Sequence, residues 1–305
     1  MALIHGSEID QWHHRRLIHM PSKAIRFARS FCFPVALLLA AAPSHAQLDQ
    51  AGPQPSWTDL VDLSDASQLV VRAKIRKQAE VEPERAVGVA PGFARLYIEA
   101  ETLALISGNV PLGESLRYLV DVPLTAKGKV PKLKKSEVIL FARAVPTRPG
   151  AIQLVARDAQ LPWSVELEER LRPILAALIA PSAPPEVVGI RDALSAPGNL
   201  DGESETQIFL STQSGDPLSL SVVRRPGFEP VWGVSYSEIV DQAVRAPQRG
   251  TIGWYRLACF LPRQIPASAH LTQDAADRAR AEADYRFILQ QLGPCGRTRV
   301  PPSDT

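Results

Sequence analysis

The residues of this chain that come nearest to catalytic chemistry are Gly233-Val234-Ser235-Tyr236-Ser237. They resemble the G-x-S-x-G nucleophile elbow, with serine in place of the last glycine. Asp241 and His270 follow in the chain order of an orienting acid and a general base, the pair that activates a serine for acyl transfer. Three features weigh against that chemistry. An elbow needs a strand-to-helix turn on a mostly parallel sheet; alternation puts Ser235 on the polar side of a strand, opposite Trp232, Val234 and Tyr236; and the absent glycine crowds a strained turn. His270 also reads simply as a solvated residue leading into the last helix. A hydrolase using Ser235 with His270, or carboxylates alone, is therefore the alternative reading and not the leading one.

Metal chemistry has little to work with. Of six histidines, five (His5, His13, His14, His19 and His45) precede residue 47, which leaves His270, and the common zinc sites need several His or Cys ligands. Asn199-Leu200-Asp201-Gly202-Glu203 is similar to the middle of a calcium loop, but aligning Gly202 with the loop glycine puts Pro197 and Ile208 at ligand positions. An acidic linker is expected there, and no metal or cofactor site is predicted. Lys127, Lys129, Lys132, Lys134 and Lys135 crowd five positive charges into nine residues; they read as a solvated edge guard or as a contact for anionic lipid or polysaccharide. Trp232, Tyr236, Trp254 and Tyr255 read as sheet core, or as an aromatic recognition patch if two are exposed together. Glu99 and Glu101 share a strand face by spacing, as like charges facing water commonly do.

Residues 31–46 (FCFPVALLLAAAPSHA) have the form of a secretory leader: Lys23, Arg26 and Arg29 precede an apolar run, and Ser44 and Ala46 offer small residues to a signal peptidase. Cleavage between Ala46 and Gln47 is predicted, giving a periplasmic or secreted protein without a membrane anchor. Met20 is the better start codon, making a leader of conventional length and leaving 1–19 as a gene-start artefact. Residues 1–46 hold five of the 34 basic residues and two of the 32 acidic ones, so the remaining chain is close to neutral. The basicity of the full sequence is a targeting signal, and nucleic acid is not an expected partner. Cys259 and Cys295 stay after cleavage and should pair in an oxidising compartment.

These residues need elements to hold them. Residues 47–56 are polar and Pro-rich, a flexible entry. Period-two alternation predicts strands at 69–79, 93–106, 116–122, 137–145 and 151–157, and Ser164 caps a predicted helix with Leu167, Leu171, Ile174, Leu175, Leu178 and Ile179 on one face. Short strands followed by a helix predict a small antiparallel barrel of the OB type. Over 57–180 this order resembles the netrin-like, tissue-inhibitor-like modules of secreted proteins, with the likeness carried by 66–73 (ASQLVVRA) and 133–141 (LKKSEVILF). The resemblance implies a barrel with an accompanying helix and, as one function, inhibition of an envelope protease. Inhibitors of that family place an N-terminal cysteine on the protease metal, whereas the predicted mature chain starts at Gln47.

A Pro-rich linker is predicted at 181–202, with one short helix near 186–194. An α+β domain over 203–296 follows, with strands at 206–213, 218–224, 231–237 and 251–261, a short helix at 238–244 and a last helix at 272–292 ended by Gly293-Pro294. Residues 297–305 are expected to be a disordered tail. The sequence thus predicts a β-rich α+β protein, an OB-like barrel with a C-terminal helix and then an antiparallel α+β domain. Its leading function is a non-enzymatic binding module for an envelope protein or polysaccharide.

Overall fold

Ser56 sets the first element. In the computed structural model, which describes residues 54–237 and 245–299, its hydroxyl accepts from Asp59 N at 3.1 Å while Asp59 Oδ2 accepts from Ser56 N at 2.8 Å. This reciprocal capping box starts helix α1, Trp57–Asp65, ahead of the predicted strands. Residues 1–53, with the predicted leader, and the predicted helix at 238–244 lie outside the described residues.

The predicted strands then appear in order: β1 (Leu69–Glu80), β2 (Phe93–Gly108), β3 (Ser115–Pro123), β4 (Glu137–Ala144), β5 (Ile152–Leu154) and β6 (Gln160–Pro162). They form one antiparallel sheet in the order β3-β2-β1-β4-β5, with β6 also paired to β4. Its inner face is Val71, Ala73, Ile75, Leu96, Ile98, Leu116, Tyr118, Val120 and Leu140, all buried. The opposite face of β1 and β4 is buried too, because Val70, Ile139 and Phe141 belong to a second core. This explains why β4 reads as a run of apolar residues and not as a clean alternation. The barrel is not closed. The sheet curls until its edge strands touch at one parallel bridge, Arg117 to Ala151, with Arg117 N donating to Gly150 O at 2.8 Å. Beyond that point the ladder stops, because β5 is three residues long and the chain leaves it at once.

Ser164 caps α2 (Val165–Leu178) as expected, its hydroxyl accepting from Leu167 N. Residues 181–202 are not a linker with a helix, for β7 (Val187–Pro197) runs through them. Two register shifts in β7, at Val187/Gly189 and Ile190/Asp192, each insert a residue. Buried Val187, Ile190 and Ala193 therefore fall three apart, a helical spacing produced by bulges. β7 pairs with β8 (Ser204–Thr212), then β9 (Ser219–Arg224) and β10 (Val231–Ser235), in an antiparallel sheet ordered β10-β9-β8-β7. The predicted strand at 251–261 is instead helix α3 (Ile252–Ala258), capped by Thr251, whose hydroxyl accepts from Trp254 N. It is buried from Ile252 to Leu257, Arg256 included, and a short run buried all round has no period with which to declare itself. The last helix, α4, spans Ala275–Leu292 behind an Asp274 cap. Among the described residues no helix is long and apolar enough to cross a membrane.

Both halves of the chain contribute to the second core, from Leu60, Phe141 and Leu171 to Ile208, Leu220, Tyr255 and Ile288, and all described residues belong to one compact unit. Helix α1 joins them through three carboxylates spaced three apart, which therefore share one face. Asp59 accepts from Thr298 N at 3.0 Å, from Arg299 N at 3.1 Å and from the Thr298 hydroxyl. Asp62 accepts from Tyr255 Oη at 2.6 Å and from Arg297 Nε and Nη2 at 2.6 and 2.8 Å. Asp65 forms a bidentate pair with buried Arg256, Nη2 donating at 2.9 Å. Residues 297–299 are thus held by α1 and are not a loose tail. Cys259 and Cys295 form the expected disulfide, with Cα atoms 4.8 Å apart; it links the end of α3, not a strand, to the segment after α4.

Burial alone would raise the pKa of Asp59, but hydrogen bonds from Thr298, Arg299 and Ser56 outweigh it and hold the group below 3.8. A depressed folded pKa stabilises the fold above the unfolded value, and that contribution is lost as pH falls through the folded one. Asp59→Asn is therefore expected to cost about 2 to 4 kcal/mol at neutral pH, since charge-assisted bonds are worth about 1.5 to 3 kcal/mol each. The gap from wild type should shrink as pH falls through the depressed folded pKa and the wild-type carboxyl takes up its proton; urea midpoints at neutral pH and along an acid series measure it.

Candidate functional site at the open seam

The elbow serine and His270 are not brought together. Ser235 is buried at the end of β10, its hydroxyl 3.2 Å from that of Ser237. His270 is bridged to Ala193 of β7, and its Nε2 lies 3.3 Å from Glu282 Oε1. Since β10 and β7 are the two edges of a four-stranded sheet, three strand spacings, or roughly 14 Å, separate them. Asp241 lies outside the described residues. The loop similar to a calcium site is the turn of the β7–β8 hairpin, not a linker: Glu203 Oε2 accepts from Asn199 N at 3.0 Å and Leu200 N at 3.3 Å, capping its own turn.

Glu99 and Glu101 face cross-strand cations, Lys77 at 2.8 Å and Arg76 respectively. The five lysines lie exposed in the β3–β4 connection as predicted. That connection is anchored: Gln78 Oε1 accepts from Leu133 N at 2.6 Å and Lys134 N at 3.1 Å, and Gln78 Nε2 donates to Pro131 O. Of the four aromatic residues, Trp232, Trp254 and Tyr255 are buried and only Tyr236 is exposed, so they make no common surface. Trp254 Nε1 donates to Leu292 O at 2.9 Å, a bond that ties α3 to the end of α4.

A more substantial concavity lies elsewhere, where the first sheet fails to close. A groove of ≈ 770 Å³ is lined by 117–121 of β3, by 151–154 at β5 and by the connections carrying Val145, Arg148, Ala156 and Arg157. That volume is within the range of about 300 to 1,000 Å³ usual for ligand sites. Four arginines surround it. Arg95 is neutralised by Asp121, to which Nε and Nη2 donate at 2.7 and 2.9 Å. Arg117, Arg148 and Arg157 are exposed, and none has an acidic partner within ion-pair reach among the described residues. Arg117 Nη2 donates to Pro149 O at 2.9 Å, which fixes its guanidinium at the groove mouth. Apolar surface completes the site: Leu119 is 51% exposed and its cross-strand partner Tyr97 is 38% exposed.

Comparison with known protein families and with curated protein sequences finds no match for this chain. The site must be read from its own geometry. A second concavity of ≈ 420 Å³ between α1, α2 and α3 is lined by Trp57, Pro173, Ile174 and small residues without a titratable group, so it offers no comparable chemistry. The three arginines carry no sequence motif, and β-sheet curl alone gathers residues 117, 148 and 157.

Gly150 controls the backbone bridge that pins the seam. Its φ is +77°, and a Cβ there would sit 3.1 Å from Ser115 O. Gly150→Ala is expected to destabilise the protein by about 1 to 2 kcal/mol, combining left-handed strain with a close backbone contact. It should also speed hydrogen exchange at Arg117 N–H, measured by NMR or mass spectrometry, while exchange in β7–β9 stays unchanged.

Proposed function

We propose that this protein is an exported binding module, without catalytic chemistry of its own, that receives an anionic ligand in the groove at the open seam. One observation carries the reading: three exposed arginines, without acidic partners among the described residues, converge on the groove at the seam, where an anion would meet charge-assisted donors. The leader-like 31–46 segment and the Cys259–Cys295 disulfide favour an oxidising compartment outside the cytoplasm. The resemblance of 57–180 to netrin-like modules agrees with a protein that works through a surface.

Two measurements test this. Mass spectrometry of the exported protein should find Gln47 as its first residue; an N-terminus still carrying the apolar run would overturn the export reading. Titration calorimetry at low salt should show binding of hexaglutamate or of a sulfated oligosaccharide, weakening as salt rises because exposed charges are screened. The variant Arg117→Glu, Arg148→Glu, Arg157→Glu should bind at least tenfold more weakly with an unchanged circular dichroism spectrum. Binding that is absent in wild type, or equal in the variant, would overturn the site.

A further inference from the structure

The lining of the groove says what form its ligand takes. Consecutive residues 117–121 and 151–154 line it, although successive side chains on a strand point to opposite faces. A groove lined by both parities looks onto strand edges and not onto a sheet face. The hydrogen-bond parity shows which peptide groups face it. Thr102 N donates to Glu114 O and Leu124 N to Gly92 O, while Arg117 N turns away from β2 to reach Gly150 O. The β2–β3 register continues without a shift, so even-numbered residues of β3 bond to β2, and the N–H and C=O of Leu119 and Asp121 point into the groove. Across from them, Val145 N donates to Ala151 O and Val155 N to Phe141 O. Odd residues of this segment therefore face β4, and Leu154 presents its peptide groups outward. No bridge beyond Arg117–Ala151 joins the two edges.

We infer that the ligand is an acidic peptide segment that binds extended, adding a strand to the β3 edge beyond that bridge. This deepens the seam reading and rests on it. Main-chain bonds to an exposed edge supply sequence-independent affinity, and neighbouring side chains choose the partner. Here those neighbours are Arg117, Arg148 and Arg157, with Leu119 and Tyr97 beside them, a set that suits alternating acidic and apolar residues. This chain's own undescribed N-terminal segment does not fit the charge, since 1–46 carries five basic and two acidic residues. An anionic polysaccharide would satisfy the arginines yet leave the inward-facing peptide groups of Leu119 and Asp121 without a ladder.

The test uses an acetylated, amidated Glu-Val-Glu-Val-Glu-Val peptide, the same peptide N-methylated at alternate residues in each of the two registers, and a sulfated oligosaccharide of similar charge. Strand addition predicts that one N-methylated register binds at least tenfold more weakly while the other keeps most of its affinity. It also predicts that amide exchange at Leu119 and Asp121 slows on binding the parent peptide. Leu119→Pro, which removes an outward-facing donor at an edge where proline is tolerated, should lose the parent peptide tenfold or more. Equal binding of both methylated registers, with the arginine triple variant still defective, would overturn strand addition and leave the anion site standing. Tighter binding of the oligosaccharide than of the peptide would overturn the peptide as ligand. Failure of every anionic probe would overturn the seam as a site.

Discussion

Three carboxylates on one short helix hold this molecule together. Asp59, Asp62 and Asp65 recur every third residue in α1, and each is answered from the far end of the chain by Thr298 and Arg299, by Tyr255 and Arg297, and by Arg256. Burying ionised groups is costly unless each is paired and fully hydrogen-bonded. Asp59, fully buried, accepts four bonds beyond its own helix start or within it. Trp57 adds ring contacts at 6.2 Å to Trp254 and 6.5 Å to Tyr255. The disulfide stabilises the same junction by about 4 kcal/mol in the chain-entropy model, since it fixes Cys295, whose carbonyl accepts from Thr58 Oγ1 at 2.8 Å.

That junction accounts for the shape of the seam. β1 and β4 have both faces covered, one by the inner core and one by α1, α2 and the second sheet, so they are fixed in the middle of the first sheet. β3 and β5 are left at its margins. β5 ends after Leu154, and the connection that follows is drawn off toward the C-terminal segment, where Asp158 pairs with Arg299. The chain then turns back onto β4, where Phe141 N donates to Ala159 O, so the short β5 leaves most of the β3 edge unpaired. An open strand edge invites pairing with another copy, and like charge along it is a common protection. Arginines 117, 148 and 157 repel a second identical edge and admit one of opposite charge.

Much of the fold was legible in the sequence and the site was not, for distinct physical reasons. β1 to β4, α2 and α4 announce themselves because alternation, caps and Gly293 are local signals. α1 was missed because its capping box uses Asp59 in place of the usual glutamate or glutamine, and because its D-x-x-D-x-x-D spacing has meaning only beside partners some 190 to 240 residues away. β7 was misread through its bulges and α3 because it is buried along its length, Arg256 included. The Ser235 elbow misled because the motif depends on a mostly parallel sheet, and Ser235 ends an antiparallel strand instead. No short-range pattern could gather Arg117 with Arg157, since a curled sheet brings them to one groove.

The partners of α1 also fix an order of assembly. The helix lies near the start of the folded region, yet the groups that neutralise its acidic face are supplied by residues 255–256 and 297–299. A chain made from its N-terminus can form the strands of the first sheet before its last residues are added, because all of them lie between residues 69 and 162. Its first helix then waits, capped but unanswered, until almost the last residue has been added. The first element made is among the last to be locked, so a chain shortened by only about ten residues takes Thr298 and Arg299 from Asp59 and Arg297 from Asp62, and Tyr255 and Arg256 alone still answer the helix.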